Sequence, residues 1–240
     1  MSRALLINPP FNIAKENYDS SVSVGLLSIA SFVDSKNQNV KIIDGVREVD
    51  YIAKIKEEAK DCAYAGISVM TTQISDALKI SKIIKDINPN CTIVWGGPHP
   101  TFFKEQSIKS PLIDIVCVGE GEETFYEIIT DKKLEDILGI IYKDNKDIKT
   151  NPPRPLHNPA DMPLFNWSLI DQKVLDNLAY VPSLTSRGCP HLCTFCINAI
   201  LKLKWRKRTT EQVLKDLEII QSKEYFKNKQ LRFWDENFFV

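Results

Sequence analysis

The sequence predicts an α/β fold: a doubly wound parallel sheet of five strands, followed by the beginning of a second β/α region. Three observations predict it. Over the first 130 residues, short β-branched runs alternate with amphipathic stretches of helical length, the pattern of a parallel sheet covered by helices. The runs are apolar on both faces, as strands buried on both sides are. Seven of the nine glycines (Gly25, Gly45, Gly66, Gly96, Gly97, Gly119 and Gly121) fall in this region, five of them at expected strand ends or the turns after them. That edge of an open α/β sheet is where ligands bind.

In order, strands are expected at Ala4 to Asn8, Val40 to Asp44, Ala63 to Val69, Thr92 to Trp95 and Ile113 to Val118, forming a Rossmann-like sheet. Between them lie helices at about Val24 to Ser35, Asp50 to Lys60, Ile74 to Ile87, Phe102 to Ser107 and Glu122 to Thr130. In the third, Ile74, Leu78, Ile80, Ile83, Ile84 and Ile87 make a stripe of period 3.6, and Asn88-Pro89-Asn90 stops it. GIIYKDNKDIKTN, from Gly139, reads as a hairpin about Asp144-Asn145. The segment NPPRPLHNPADMPLF holds five prolines in 15 residues, an extended and semi-rigid crossing. A strand over Tyr180 to Ser186 then runs into a cysteine loop. A helix over Thr209 to Ser222 follows, with Thr210 as N-cap and Val213, Leu214, Leu217 and Ile220 on one face. Gln230 to Asp235 is a second strand. The expected division is 1–135, a linker with its hairpin over 136–175, and 176–240.

Composition narrows the function. With 240 residues, 31 Lys+Arg against 31 Asp+Glu, and 43% hydrophobic residues, the chain is neither disordered, collagen-like nor coiled coil. Zero formal charge gives no bulk reason to bind nucleic acid or an acidic membrane. The absence of any run of about 18 apolar residues leaves no expected membrane span, and no signal peptide is expected. Six cysteines are too sparse for a secreted disulfide scaffold, so a reducing cytoplasm is expected.

The sharpest chemical signal is CPHLCTFC, in which Cys189, Cys193 and Cys196 follow Arg187-Gly188. Three thiolates on one loop can ligate three irons of a cubane cluster and leave one iron open. The competing assignment is structural zinc with His191 or a distant Cys as fourth ligand, in a zinc-binding interaction protein. Against it, zinc ribbons pair two C-x2-C knuckles and no second knuckle occurs. Cys62, Cys91 and Cys117 lie in or beside expected buried strands, where Cys serves as a small core residue.

With Phe195 completing a C-x3-C-x-aromatic-C pattern, this strand, loop and helix resemble the opening of the radical S-adenosylmethionine (SAM) enzymes. GGPHPTF (Gly96 to Phe102), VGEGEETF (Val118 to Phe125), GIS (Gly66 to Ser68) and PLFNWSLID (Pro163 to Asp171) resemble the cobalamin-binding domain fused to one large radical SAM subgroup. WRKRTTEQV (Trp205 to Val213) and FWDENF (Phe233 to Phe238) are similar to that subgroup's segments after the cluster loop. The resemblance runs through nearly the whole chain. It implies a cobalamin-binding sheet followed by the start of a partial (β/α) radical SAM barrel. It also implies a [4Fe-4S] cluster on Cys189, Cys193 and Cys196, SAM on the open iron, cobalamin, a small-molecule substrate, and a reductant such as flavodoxin or ferredoxin. In that scheme the reduced cluster cleaves SAM to a 5′-deoxyadenosyl radical, and the cofactors carry the difficult chemistry.

The expected cofactor contacts are Ser68, Gly96, Gly97, His99, Thr101, Gly119, Glu120, Gly121, Phe195 and Asp235. Gly96-Gly97 permits close approach of a ligand to the backbone. Gly119 and Gly121 flank Glu120 in a loop opening a helix whose amides can accept a phosphate or propionamide oxygen, while Glu122 and Glu123 can complement its dipole. Ser68 either donates to the nucleotide tail or caps a turn. The D-x-H-x-x-G motif of many cobalamin domains is absent from the sequence, so no cobalt-ligating His is expected from it, and the base tail is expected beneath the third to fifth strands. His99 is read as a loop hydrogen-bonding residue ahead of a ligand. In the basic stretch Lys202, Lys204, Arg206, Lys207 and Arg208, one arginine is expected to hold SAM or a domain interface, with a solvated face as the alternative. Asp235 and Glu236 are placed to hydrogen-bond SAM. No residue is singled out as catalytic.

The leading expectation is a cobalamin-dependent radical SAM methyltransferase, with a cyclase or rearrangement catalyst as the variant. Tyr180 to Val240 is 61 residues, room for one βαβ unit, whereas a full eight-unit barrel takes about 250 residues. A cobalamin-binding fragment lacking a C-terminal half is therefore the alternative expectation.

Overall fold

The computed structural model describes residues 3–11, 21–145 and 147–240, and the chain divides into two compact units. Ser23–Arg154, together with the first strand and Asn166–Asp171, builds one. Pro155–Phe165 and Gln172–Val240 build most of the other.

In the first unit strands and helices alternate as expected: β1 (Arg3–Asn8), α1 (Val24–Ser35), β2 (Val40–Asp44), α2 (Tyr51–Glu58), β3 (Cys62–Ser68), α3 (Ile74–Ile87), β4 (Thr92–Gly96), α4 (Pro98–Phe102), α5 (Lys104–Ile108), β5 (Ile115–Cys117) and α6 (Glu122–Ile129). Strands β1 to β5 pair in parallel. The hairpin, β6 (Ile140–Asp144) and β7 (Asp147–Thr150), adds antiparallel at β5. The sheet therefore has seven strands where five were expected, in the order β2-β1-β3-β4-β5-β6-β7. Asn145, at the hairpin turn, adopts φ 56, a left-handed conformation that Asn tolerates.

Alternating residues of β1 feed two cores. Leu5 and Ile7 join Ile55 and Ala59 below one face, with Ala77, Ile80 and Ile84 of α3. On the other, Leu6 and Phe125 close so tightly over Gly66 that a Cβ there would lie 2.8 and 2.7 Å from them. Burying each such large side chain contributes about 1.5–3 kcal/mol. Ile87 departs from the expected stripe of α3, being 37% exposed. Asn88 makes the inward contact at that end, its Nδ2 donating to the carbonyls of Ala59 and Cys62. The single helix expected over 102–107 is two short ones broken at Phe103 (φ −113, ψ 45), because Pro98 starts the first early.

The second unit contains α7 (Gln172–Asp176), β8 (Tyr180–Ser183), β9 (Ser186–Arg187), α8 (Ile197–Ile200), β10 (Arg206–Lys207), α9 (Thr210–Ser222) and β11 (Gln230–Phe233). β8 and β11 pair in parallel around α9, and β9 pairs antiparallel with β10. The strand expected over 180–186 is broken at Leu184-Thr185, where the chain changes partner sheets. The cap of α9 is Thr209 rather than Thr210. Its Oγ1 accepts from Gln212 N (3.2 Å) while Gln212 Oε1 accepts from Thr209 N (3.1 Å), a reciprocal box that needs a Glu or Gln three residues on. From Thr210 that position is Val213. The inward face is Val213, Asp216, Leu217 and Ile220, at spacings of three and four. Leu214 lies 54% exposed, and the buried Asp216, whose charge hid it from a hydrophobic stripe, takes its place. Among the described residues no helix is long and apolar enough to cross a membrane.

Candidate functional site

In the first unit the strand order reverses between β1 and β3, the point where doubly wound sheets open a ligand crevice. Here the protein's own side chains occupy it. Asn8, at the end of β1, donates to Asp44 Oδ1 at the end of β2 (2.9 Å). The fully buried Gln73 donates through Nε2 to Asn8 Oδ1 (3.1 Å) and the Pro9 carbonyl (2.5 Å), and accepts from Met70 N (2.9 Å). Burial pushes Asp44 from its ordinary 3.8 up to about 6, against the lowering effect of the Val46 amide and the Asn8 side chain. Sequence reasoning missed this network. Its only local signal is a polar residue at each strand end, Asn8 before Pro9 and Asp44 before Gly45.

The expected contact residues gather one and two strands further along the same edge. Gly97 has φ 94 and ψ −172, a region open to glycine alone. A Cβ there would lie 3.0 Å from both Ser68 Oγ and Val69 N, so the turn after β4 packs directly on the end of β3. Gly96 needs no such space, its nearest would-be contact being Cys117 Cβ at 3.7 Å. Gly119 has φ 86 with nothing within 4 Å of its Cβ position, and Gly121 packs on Ile29. Thr101 joins the two glycine turns. Its hydroxyl donates to the Gly97 carbonyl (2.8 Å) and accepts from Gly119 N (3.1 Å). Glu120 is half-buried beside them. The result is an edge with small residues, open space over Gly119 and a hydroxyl bridge, which suits a large ligand pressed against backbone.

Neighbouring side chains are held in place. His99 is buried, its Nδ1 3.3 Å from Thr71 Oγ1 and its ring against Phe103, and burial lowers its pKa. Glu122 is buried and accepts from Ser28 (2.7 Å), while Glu123 and Glu127 pair with Arg154. The PLFNWSLID segment fastens back onto the sheet's helices: Asn166 bonds Ser31 and Asp34, and Asp171 accepts from Lys54 (2.8 Å).

In the second unit the thiols of Cys189, Cys193 and Cys196 are free, Cys193 exposed and the others half-buried. Cys196 N donates to the Cys193 carbonyl (2.9 Å) and Cys189 N to that of Leu203 (3.3 Å). The three share one loop without converging, since no group of three His, Cys, Asp or Glu among the described residues is arranged to hold a metal. As a donor set, three unpaired thiols on an accessible loop suit an iron-sulfur cluster. Phe195 projects from the loop, 89% exposed. Cys62, Cys91 and Cys117 are buried core residues. Two arginines of the basic stretch are engaged within the unit, Arg206 with the His157 carbonyl and Arg208 with the buried Asp216 (2.5 Å). The carboxylate of Asp235 accepts from Thr185 N (3.1 Å), Thr185 Oγ1 (2.6 Å) and Ser186 Oγ (2.5 Å).

Residues 16–129, most of which lie in the first unit, match the family model for the B12 binding domain. Over 250 aligned residues the chain is 35% identical to an uncharacterized methyltransferase of Pyrococcus horikoshii, covering 98% of this chain and 54% of that protein. It is 26% identical to an anaerobic magnesium-protoporphyrin IX monomethyl ester cyclase of Synechocystis sp., covering 90% of this chain and 46% of the relative. Among solved structures, the cobalamin-dependent S-adenosylmethionine radical enzyme OxsB, with aqua-cobalamin and S-adenosylmethionine bound, superposes with a TM-score of 0.80 at 25% identity, over 99% of this chain and 34% of that one. The chain thus spans about half the length, or less, of the relatives it matches.

Proposed function

We propose that this chain carries the cobalamin-binding and cluster-binding units of a radical SAM methyltransferase acting on a small molecule, with a flavodoxin- or ferredoxin-type reductant, in the cytoplasm. One observation carries the reading: a sheet of the B12-binding class with a glycine-lined, hydroxyl-bridged carboxyl edge shares a chain with a three-thiol loop leading into a β-α-β unit. In this reading Ser68, Gly97, Thr101 and Gly119 border the cobalamin. Cys189, Cys193 and Cys196 hold three irons, and the boundary between the units falls in the Pro-rich segment. Bound there, the cluster and SAM supply the radical, and cobalamin supplies the methyl group. The chain's own contribution is positional. Gly97 and Gly119 let the backbone approach the ligand, Thr101 keeps the two turns in register, and Asn8, Asp44 and Gln73 fill the switch point and direct the ligand toward β3–β5.

The test is anaerobic reconstitution with iron, sulfide and hydroxocobalamin, followed by metal analysis, absorption spectra and incubation with SAM and a reductant. The expected result is about four irons per chain, bound cobalamin and release of 5′-deoxyadenosine. One zinc and no iron refutes the cluster assignment. Iron and cobalamin bound without SAM cleavage favours a cofactor-binding fragment over an active enzyme. Cys193→Ala abolishes iron uptake and leaves cobalamin uptake intact. The likeness to the cyclase favours one second reading, ring closure, which the fate of the label from methyl-labelled SAM distinguishes from transfer.

A further inference from the structure

The three thiols are not equivalent in how the protein places them. Cys193 and Cys196 lie in one turn and fix each other through the Cys196 N to Cys193 carbonyl bond. Cys189 stands outside that turn, so its position depends on the segment that leads into it. That segment is hydrogen-bonded along its length. The Ser183 carbonyl accepts from Trp234 N (2.9 Å), that of Leu184 from Arg208 Nη1 (3.1 Å), and that of Thr185 from Arg208 N (2.8 Å). Thr185 N donates to Asp235, and Gly188 N donates to Glu236 Oε2 (3.0 Å). Gly188, at φ 77, lies against the segment that leads into β10, with Leu203 O 2.6 Å from its Cβ position. Asp235 Oδ1 alone takes donors from Thr185 N, Thr185 Oγ1 and Ser186 Oγ, a load suited to an ionised carboxylate, which offers only acceptor sites.

We infer that Asp235 and Glu236 are positioning residues, a paired carboxylate clamp that grips residues 185–188 from the end of β11 and sets Cys189 relative to Cys193 and Cys196. The hydrogen bonds of Asp235 go to the protein's own backbone and hydroxyls rather than being reserved for SAM. This inference rests on the proposal that the three thiols hold a cluster. It makes the FWDENF segment, nearly 40 residues downstream of the loop, part of how the loop keeps its metal.

The test compares the reconstituted wild-type chain with Asp235→Asn, Glu236→Ala and Thr185→Val. The asparagine variant turns an amide donor toward the Thr185 amide, and Thr185→Val removes the hydroxyl from the other side. Each variant is expected to release iron to a chelator at least tenfold faster than wild type and to show an altered electron paramagnetic resonance signal after reduction, with cobalamin uptake unchanged. The double variant Asp235→Asn/Thr185→Val is expected to be no worse than the more severe single one, because the hydroxyl contact that Thr185→Val removes is one of those that Asp235→Asn already disturbs. Asp235→Glu, which keeps the carboxylate, restores part of the retention. If Asp235→Asn fails to fold, Glu236→Ala, at an exposed position with one backbone bond, carries the same comparison. Wild-type iron retention and spectrum in the variants refute the clamp. So do unchanged retention and spectrum with weakened SAM binding, which make Asp235 a SAM contact. A wild-type chain that takes up no iron instead refutes the cluster reading beneath it.

Discussion

Two adjacent glycines at the carboxyl edge of β4 should respond in opposite ways to the same methyl group. Gly97→Ala places a Cβ 3.0 Å from Val69 N and 3.2 Å from Val69 O. Neither atom is free to withdraw: Val69 N donates to the Gly96 carbonyl (2.8 Å), and Val69 O accepts from His99 N (3.0 Å). To that crowding is added the cost of a non-glycine residue at φ 94, ψ −172, about 1–3 kcal/mol. Together about 2–4 kcal/mol is lost, a large part of the roughly 5–15 kcal/mol that holds a domain folded. This lowers the melting temperature of the first unit by about 4–16 °C, at about 2–4 °C per kcal/mol for a domain of this size. Gly96→Ala meets only an ordinary contact at 3.7 Å. In a strand it removes the entropic penalty of glycine, so it is neutral or stabilising by up to about 1 kcal/mol. Ser68→Ala does not rescue Gly97→Ala, because the obstruction is backbone. Thermal melts, with hydrogen exchange of β3 and β4 peptides to localise the loss, measure the contrast. Equal stability of the two alanine variants, or rescue by Ser68→Ala, refutes the packing argument.

Three further outcomes follow from other sites. The pKa of Asp44 is higher in the folded chain than its ordinary value, so the folded state binds the extra proton between pH 3.8 and about 6. The resulting stabilisation is complete below the lower value, declines as pH rises to the upper one, and is flat above it. Asp44→Asn removes that dependence and gains on wild type by on the order of 3 kcal/mol between about pH 4 and pH 7, which urea melts across that range will show; a pH-independent difference counts against it. Arg154→Met leaves Glu123, Glu127 and Thr124 without their shared donor and lowers the stability of the first unit by about 1–3 kcal/mol, a loss that shrinks in high salt and is read from melts at two ionic strengths. Arg208→Met strands the buried Asp216 at a cost of about 3–5 kcal/mol, whereas Arg208→Met/Asp216→Leu recovers most of it; equal destabilisation of the single and double variants overturns this account.

What the sequence made legible was set by local physics. Runs of β-branched residues and a 3.6-residue period report burial over one element, so the five parallel strands, the hairpin turn and the three-thiol loop were readable. Gly97 and Gly119 were readable for a similar reason, since a glycine at a strand end signals a backbone shape that other residues resist. Misreadings arose where a partner lies far along the chain. The hairpin's attachment to β5, the break at Leu184-Thr185 and the buried Asp216 each depend on a group that no local window contains.

That distinction also bears on which candidate residues are free to meet a ligand. Thr101 and His99, in the short helix after β4, and Asp235, just past β11, are polar residues near strand ends, and pattern alone gives such residues the look of ligand contacts. In the folded chain each already has a protein partner: Gly97 and Gly119 for Thr101, Thr71 for His99, and Thr185 with Ser186 for Asp235. A buried polar group needs partners whether or not a ligand is bound. What these side chains do in the folded chain is hold the loops they join. The exposed thiol of Cys193 and the open space over Gly119 stay accessible; Cys193→Ala is expected to cut iron uptake with little effect on the stability of the apo chain, whereas an alanine at Gly119, held at φ 86, also carries the backbone cost of a non-glycine residue there.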